Sequence, residues 1–188
     1  MMRVLIFGRA QGVWEEVEAA QKNFGPFDTI IGVGKAGIDW PHPLEHWVSF
    51  HTDLFPHWID LRERNGYPEA GKFWSCDYRG RSPRYKPPVP LTLVKVSGGS
   101  SGFVAIYVAL QGFDLPADKV VLAGIPMTNM AGHYDEDGDW AEAHKYQREW
   151  KEQFKFLEGR VKSMSGWTQE LLGAPTHEWL QEEYHVPL

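Results

Sequence analysis

The stretch that decides the fold is Leu91-Thr92-Leu93-Val94-Lys95-Val96-Ser97-Gly98-Gly99-Ser100-Ser101-Gly102, which continues as Phe103-Val104-Ala105-Ile106-Tyr107-Val108-Ala109-Leu110. Its pattern predicts an apolar strand, a loop of glycine and serine, and an apolar helix. Residues 119–124 then predict the next strand. A strand–loop–helix–strand unit of this kind favours parallel pairing of its strands. Such folds bind ligands where the strand ends and the helix begins.

Strand and helix patterns alternate along the rest of the chain. Strands are predicted at 4–7, 28–33, 47–51, 91–96, 119–124 and 161–164, and helices at 14–24, 53–64, 103–110, 140–158, 167–172 and 177–184. This alternation predicts a single α/β domain over residues 1–188, Rossmann-like, with a mostly parallel sheet and helices on both faces. Residues 67–90 are predicted to form an irregular surface loop with room for a short strand at 73–78, and residues 167–188 to form closing helices.

Composition and charge narrow the classes of function. Apolar residues make up 43% and charged residues 23%, as in an ordinary soluble globular protein. The net charge of −6 argues against non-specific binding of nucleic acid, which needs a basic face. The single cysteine, Cys76, excludes an internal disulfide and fits a reducing compartment, so we expect a cytoplasmic protein. Since no apolar run approaches about 18 residues, no membrane partner is expected.

The loop Ser97–Gly102 is the main candidate for binding a phosphate-bearing ligand. Its members Ser97, Gly98, Gly99, Ser100, Ser101 and Gly102 are small enough for the backbone to approach an anion. The amide groups at the start of the following helix would point at that anion. The pattern matches neither G-x-G-x-x-G nor the Walker form, so it indicates neither NAD nor ATP chemistry. The alternative is a tight turn without a ligand, but six small residues exceed what a turn needs.

Two further glycine-bounded turns, Gly8-Arg9-Ala10-Gln11-Gly12 and Gly34-Lys35-Ala36-Gly37, follow predicted parallel strands. They should open onto the same sheet edge as the loop, so that Arg9 and Lys35 project near a bound phosphate. The alternative is that both side chains are surface charges on ordinary turns. The positional prediction is one sheet edge that carries Gly8, Lys35, His51, Ser100 and Met127.

Two histidines are candidate catalytic residues. His51 ends the predicted third strand, and His133 follows the strand after the loop. Because an unperturbed histidine has a pKa of about 6.5, either could act as general acid or base. The alternative for His51 is a buried histidine bonded to a backbone carbonyl. A strand would place His46 and His51 on opposite faces, so we predict no metal site.

Two other regions carry open alternatives. Arg81, Arg84 and Tyr85 suit a lid that clamps phosphate or stacks on a base, although a solvated loop explains them equally simply. Residues 135–139 form an acidic turn without the calcium-loop pattern, and we interpret them as a solvated cap of the next helix. Trp167 and Trp179 are interpreted as core residues, with a homo-oligomer surface as the alternative.

Several stretches together resemble a known structural group: Val4-Leu5-Ile6-Phe7-Gly8, His46-Trp47-Val48-Ser49-Phe50-His51, Ser97-Gly98-Gly99-Ser100-Ser101-Gly102-Phe103-Val104-Ala105 and Val121-Leu122-Ala123-Gly124-Ile125-Pro126-Met127. They resemble small proteins from phages and bacteria whose layout is similar to the Rossmann-like core of bacterial sialyltransferases and 6-hydroxymethylpterin diphosphokinase-like proteins. The resemblance implies a nucleotide held by Gly8, the loop Ser97–Gly102 and Ile125, Pro126 and Met127. His51 or His133 would then be the base.

The resemblance implies a glycosyltransferase-like enzyme with a nucleotide-activated donor. Arg9 and Arg84 would offset the charge of the phosphate, and a histidine would deprotonate the acceptor without a cofactor. The first alternative is a non-catalytic protein that binds or sequesters a nucleotide. The second is a pterin-type diphosphotransferase, which would need Mg²⁺.

Overall fold

The computed structural model of the chain describes residues 1–76, 86–96, 100–114, 116–129 and 132–182. These residues contain one seven-stranded sheet. Its strands are β1 (Arg3–Phe7), β2 (Thr29–Val33), β3 (Leu44–Val48), β4 (Ala70–Cys76), β5 (Leu91–Val94), β6 (Lys119–Ala123) and β7 (Val161–Ser163). Every neighbouring pair is parallel. The α/β class and the parallel sheet predicted from the sequence are therefore confirmed.

The order of the strands reverses once, beside β1. The spatial order is β5-β4-β3-β2-β1-β6-β7. The chain moves outward one strand at a time from β1 to the edge strand β5, and then returns across the sheet to β6. The carboxyl ends of β1 and β6 therefore form the switch point at which open α/β sheets bind ligands.

Helices cover both faces of this sheet. They are α1 (Val13–Phe24), α2 (Phe55–Arg64), α3 (Ser101–Tyr107), α4 (Ala143–Glu152), α5 (Phe154–Leu157), α6 (Gly166–Leu172) and α7 (His177–Gln181). Leu5 of β1 belongs to the core with α1 and α2, and its neighbour Ile6 to the core with α3 and α4. Both side chains have zero exposure. The continuous apolar run of β1 is explained by this burial on two faces.

Helix α3 carries the chain across the sheet from β5 to β6. It contacts each of the strands β1 to β4 and continues into a single π-helical turn at Val108–Gly112. Phe103 is fully buried, with its ring centroid 5.3 Å from that of Trp150. A methyl group at Gly102 would lie 3.1 Å from Cγ2 of Ile125, so the start of α3 packs directly on the turn after β6.

Arg62 of α2 stabilises the connection between β2 and β3, which contains a 3₁₀ segment, Gly34–Ile38, in place of an α-helix. The side chain is 2% exposed. It donates hydrogen bonds to the backbone carbonyls of Gly37 at 2.8 Å, Trp40 at 2.5 Å, His42 at 2.7 Å and Pro68 at 2.7 Å. The guanidinium thus satisfies backbone carbonyls of irregular segments, which in a regular helix would accept hydrogen bonds from backbone amides.

The third strand lies earlier in the sequence than predicted. The structure ends β3 at Val48, opposite Val33 of β2, rather than at position 51. Register with β2 sets this end, and the exposed Glu45 hid the start of the strand from a pattern based on apolar residues. His51 therefore precedes the 3₁₀ segment Thr52–Leu54 instead of closing a strand.

Two other predicted boundaries are wrong. The helix predicted at 140–158 is divided into α4 and α5 at Gln153, where φ is −99° and ψ is 9°. The side chain of Gln153 accepts a hydrogen bond from the Tyr107 hydroxyl at 3.2 Å, which favours this break. The short strand predicted at 73–78 within the irregular region 67–90 is β4, which begins earlier, spans Ala70–Cys76 and buries Trp74 and Cys76.

Some residues of the predicted site fall outside the described ranges. They are Ser97, Gly98 and Gly99 of the loop and the lid residues Arg81, Arg84 and Tyr85. Trp179 is 6% exposed and donates to the carbonyl of Gly159 at 2.8 Å, as core packing requires. The homo-oligomer stays a prediction. None of the helices within the described ranges has the length and apolarity needed to cross a bilayer.

Candidate functional site

A cavity of about 520 Å³ opens at the switch point. Its walls come from the segments that follow β1, β2, β3 and β6 and from the start of α3. Among its lining residues are the five that the sequence predicted to share one sheet edge: Gly8, Lys35, His51, Ser100 and Met127. The volume lies in the range of roughly 300–1,000 Å³ usual for small-molecule sites. The structure thus brings these residues together, and their roles stay predictions.

The two central strands approach closely at one wall of the cavity. The amide of Gly8 donates to the carbonyl of Ala123 at 2.8 Å. A methyl group at Gly8 would lie 2.4 Å from the oxygen of Gly124 and 2.5 Å from Cγ1 of Ile125. Gly124 has φ 63°, in the left-handed region that favours glycine. Packing therefore requires glycine at position 8, independently of any ligand.

Two serines begin α3 at the cavity. Ser100 caps the helix, with its Oγ accepting from the amide of Phe103 at 3.3 Å. The Oγ of Ser101 accepts from the amide of Phe50 at 3.1 Å, which ties α3 to the segment after β3. Since a hydroxyl can accept and donate at once, each hydroxyl hydrogen could still be directed to a ligand.

The turn after β6 holds a left-handed residue at the cavity. Met127 has φ 49°, and it is the non-glycine residue with positive φ among those described. Its carbonyl accepts from Nε2 of Gln147 of α4 at 2.8 Å. Thr168 of α6 donates to the carbonyl of Ile125 at 2.6 Å. Such a backbone costs of the order of 1–2 kcal/mol and concentrates at functional sites, and here two helices impose it.

Two cationic side chains that line the cavity, Arg9 and Lys35, form ion pairs with carboxylates of the same chain. Arg9 forms a two-point ion pair with Asp135, at 2.6 Å through Nε and 2.8 Å through Nη2. Glu136 also pairs with Arg9, and Lys35 pairs with Asp135. Two cations therefore face two carboxylates. The acidic turn at 135–139, predicted to be a solvated cap, instead supplies a partly buried Asp135 whose side chain is 17% exposed.

The segment that carries Asp135 is anchored to the first turn. Ala10 and His133 form an antiparallel bridge, and the amide of Tyr134 donates to the carbonyl of Arg9 at 3.0 Å. The Tyr134 hydroxyl donates to Asp39, and its ring lies 5.5 Å from that of Trp14. The backbone from 132 to 134 is thus fixed beside β1.

The ion pairs at Asp135 predict a dependence of stability on acid. Burial alone would raise the pKa of Asp135, but hydrogen bonds from Arg9 and Lys35 outweigh it and lower the pKa from 3.8 to about 2. Because the folded pKa is below the ordinary value, the stabilisation is present above about pH 4 and is lost as the pH falls toward about 2. When the pH falls from about 7 to about 2.5, the free energy of unfolding should decrease by about 1–2 kcal/mol more in the unmodified chain than in Asp135→Asn.

Urea unfolding at both pH values measures this difference. Asp137→Asn is the matched control, because Asp137 is exposed on the same turn. It should keep the acid dependence of the unmodified chain. An Asp135→Asn variant that loses as much stability in acid as the unmodified chain would contradict the assignment.

The two candidate histidines both line the cavity, in different settings. Nδ1 of His133 lies 3.1 Å from Oε2 of Glu136, and its ring is 5.8 Å from that of Trp140. The hydrogen bond from His133, followed by that from Arg9, lowers the pKa of Glu136. His51 is exposed, so the alternative of a buried histidine is wrong for this residue. A carboxylate that orients an imidazole is the arrangement found in general bases, which favours His133.

Aromatic side chains that sequence reasoning missed form another part of the cavity. Trp140 and Tyr146 stack with centroids 5.7 Å apart and planes 26° apart. Phe50 and Trp58 also line the cavity. In the sequence these residues look like the core aromatics around them, and only the position of Phe50 beside His51 was a signal.

A metal role finds no specific support in this arrangement. The described part of the chain contains no group of three or more His, Cys, Asp or Glu side chains that could hold a metal ion. The expected absence of a cofactor stays a prediction, because it concerns what the protein binds in solution.

Comparison with known proteins adds no functional information, so a functional proposal has to be argued from the cavity. The resemblance to the Rossmann-like core of bacterial sialyltransferases and 6-hydroxymethylpterin diphosphokinase-like proteins stays a prediction carried by short motifs. The chain matches no protein-family model, and neither a curated protein nor a solved structure is significantly similar to it.

Proposed function

We propose that the cavity binds a nucleotide or nucleotide-sugar, and that the protein is a glycosyltransferase-like enzyme that uses such a donor. The observation that carries the proposal is the position of the cavity at the switch point between β1 and β6. Ligands of open α/β sheets bind at that position. The resemblance of the sequence to nucleotide-binding Rossmann-like cores supports the same ligand class.

The phosphate of the donor would lie at the start of α3. Gly102 and the close packing at Gly8 bring backbone near the cavity, and Ser100 and Ser101 add hydroxyl groups. These dipoles stabilise negative charge without a metal. The base of the nucleotide would stack on Trp140 and Tyr146, since aromatic faces bind flat rings of any sequence.

The chemical step would be a displacement at the anomeric carbon of the sugar. His133 takes the proton of the acceptor hydroxyl, and the acceptor oxygen forms a bond to that carbon. The bond from the carbon to the phosphate oxygen breaks, and the nucleotide leaves with the electron pair. Glu136 orients the His133 ring, and the donors at α3 stabilise the charge that develops on the leaving phosphate.

Titration calorimetry with CMP, UDP, GDP and their sugars tests this proposal. At least one of them should bind, and Ser101→Ala should weaken that binding about tenfold to a hundredfold, because a hydrogen bond to a charged group contributes roughly 1.5–3 kcal/mol. Thr92→Ala, at an exposed position of β5 that does not line the cavity, is the control and should bind normally. A folded chain that binds none of these compounds contradicts the proposal.

A non-catalytic nucleotide-binding protein is the second candidate. The compensation of Arg9 and Lys35 by carboxylates favours it, because fewer free cations remain to stabilise a leaving phosphate. His51→Ala and His133→Ala separate the two candidates. Both variants should keep nucleotide affinity, and in the enzyme one of them should abolish transfer. A transfer that requires Mg²⁺ would favour the pterin-type diphosphotransferase instead.

A further inference from the structure

Two cations from adjacent strand ends converge on one carboxylate beside the cavity. Arg9 follows β1 and Lys35 follows β2, and both line the cavity. Both bind Asp135, which Arg9 engages through two parallel hydrogen bonds. Arginine recognises phosphate with this same two-point geometry. The carboxylate thus occupies the position that a phosphoryl oxygen would take between the two cations.

We infer that Asp135 is a displaceable internal counter-ion that fills an anion subsite formed by Arg9 and Lys35 until a phosphoryl group of the ligand replaces it. The inference rests on the proposed function, because it assigns the regulation of that same site. The ligand class it names is a phosphate or pyrophosphate group. The affinity for such a group then depends on how much more strongly Arg9 and Lys35 interact with the phosphoryl group than with Asp135.

The structure allows the Asp135 carboxylate to leave without disturbing the sheet. The backbone bonds that hold this segment to the first turn lie at 132–134, before the two acidic residues. Between residues 135 and 140 the described backbone bonds are local, such as that from Glu136 to His133. A rotation of the Asp135 side chain would therefore free Lys35 and the two-point face of Arg9, while Glu136 keeps its contact with His133 and Tyr134 stays in place.

Charge also favours the exchange. Arg9, Lys35, Asp135 and Glu136 sum to zero, so the ligand-free cluster attracts anions weakly at a distance. A terminal phosphate or a pyrophosphate carries more negative charge than one carboxylate and presents more acceptor oxygens to the guanidinium and the ammonium group. Asp135 thus selects against weakly charged anions, because such anions interact with Arg9 and Lys35 less strongly than Asp135 does.

Inorganic pyrophosphate is the probe for this subsite. Its affinity, measured by titration calorimetry on the full chain, should increase about tenfold in Asp135→Asn, because the competing carboxylate is removed. Asp137→Asn should change it less than about twofold. Lys35→Met introduced into Asp135→Asn should cancel the gain, which ties the effect to the two cations rather than to net charge.

The outcomes separate this inference from the proposed function. An Asp135→Asn chain that binds pyrophosphate no better than the unmodified chain overturns the inference, as does a chain that no longer folds, because Asp135 would then be a structural tie. If nucleotides bind but Asp135→Asn leaves their affinity and that of pyrophosphate unchanged, the inference alone is wrong. If pyrophosphate binding tightens while no nucleotide or nucleotide-sugar binds, the subsite is supported and the proposed function fails.

Discussion

Arg62→Met should destabilise the folded chain by about 4 kcal/mol, because it removes a buried guanidinium that serves four backbone carbonyls. Methionine keeps much of the length of arginine but has no donor, so the carbonyls of Gly37, Trp40, His42 and Pro68 lose their hydrogen bonds inside the protein. Each buried acceptor left without a partner costs roughly 1–3 kcal/mol, which partial entry of water reduces. The free energy of unfolding of a typical domain is only about 5–15 kcal/mol.

Urea unfolding followed by tryptophan fluorescence measures this loss. Arg64→Met is the matched control, because Arg64 lies in the same helix, is 71% exposed and pairs with the exposed Asp60. It should change stability by less than about 0.5 kcal/mol. Arg62→Lys should rescue little, since an ammonium group cannot reproduce the planar fork. An Arg62→Met chain within about 1 kcal/mol of the unmodified one would contradict this role.

Gly8→Ala should destabilise the chain by about 3 kcal/mol through overpacking between the two central strands. The added methyl group meets the backbone oxygen of Gly124 at 2.4 Å and Cγ1 of Ile125 at 2.5 Å. A backbone oxygen cannot rotate away, so β1 and β6 must separate. The same separation should distort the cavity and weaken any ligand that binds there.

Gly12→Ala is the control for Gly8→Ala, because it isolates backbone strain from packing. Gly12 has φ 79°, and among the described residues an added methyl group would meet no atom within 4 Å. Its substitution should cost about 1–2 kcal/mol from the left-handed backbone alone. Thermal or urea unfolding of the two variants should therefore rank Gly8→Ala as the more damaging. The opposite ranking would show that close approach of the strands is not what requires glycine at position 8.

Much of the fold could be predicted because it depends on apolar runs. β1 and β6 are continuous apolar segments, as strands buried on two faces must be, and their glycine-rich ends indicated the cavity edge. β3 was misplaced because its exposed Glu45 breaks that run, while its true end is set by pairing with β2. A single sequence contains no signal for such register.

The side chains of the candidate site were predicted less completely than the backbone around it. Arg9 and Lys35 line the cavity, as expected for residues that follow the ends of β1 and β2, and their role toward a phosphate stays a prediction. Their partner Asp135 was interpreted as solvated, because an ion pair between residues 126 positions apart leaves no local pattern. The bonds of Arg62 to carbonyls are equally invisible, since backbone acceptors carry no residue identity. Polar contacts between residues distant in sequence therefore could not be predicted from the sequence.

The path of α3 across the sheet has a consequence for how the protein folds and unfolds. Because α3 contacts β1 through β4, its complete docking surface exists only when those strands are paired, and these contacts between segments distant in sequence give the fold a high contact order and should slow folding. The cavity then exists only in the fully folded chain, since one wall belongs to α3 and the others to strand ends far from it in sequence. A ligand present at 100 times its Kd would therefore add about 2.7 kcal/mol to global unfolding, rather than protecting one local region.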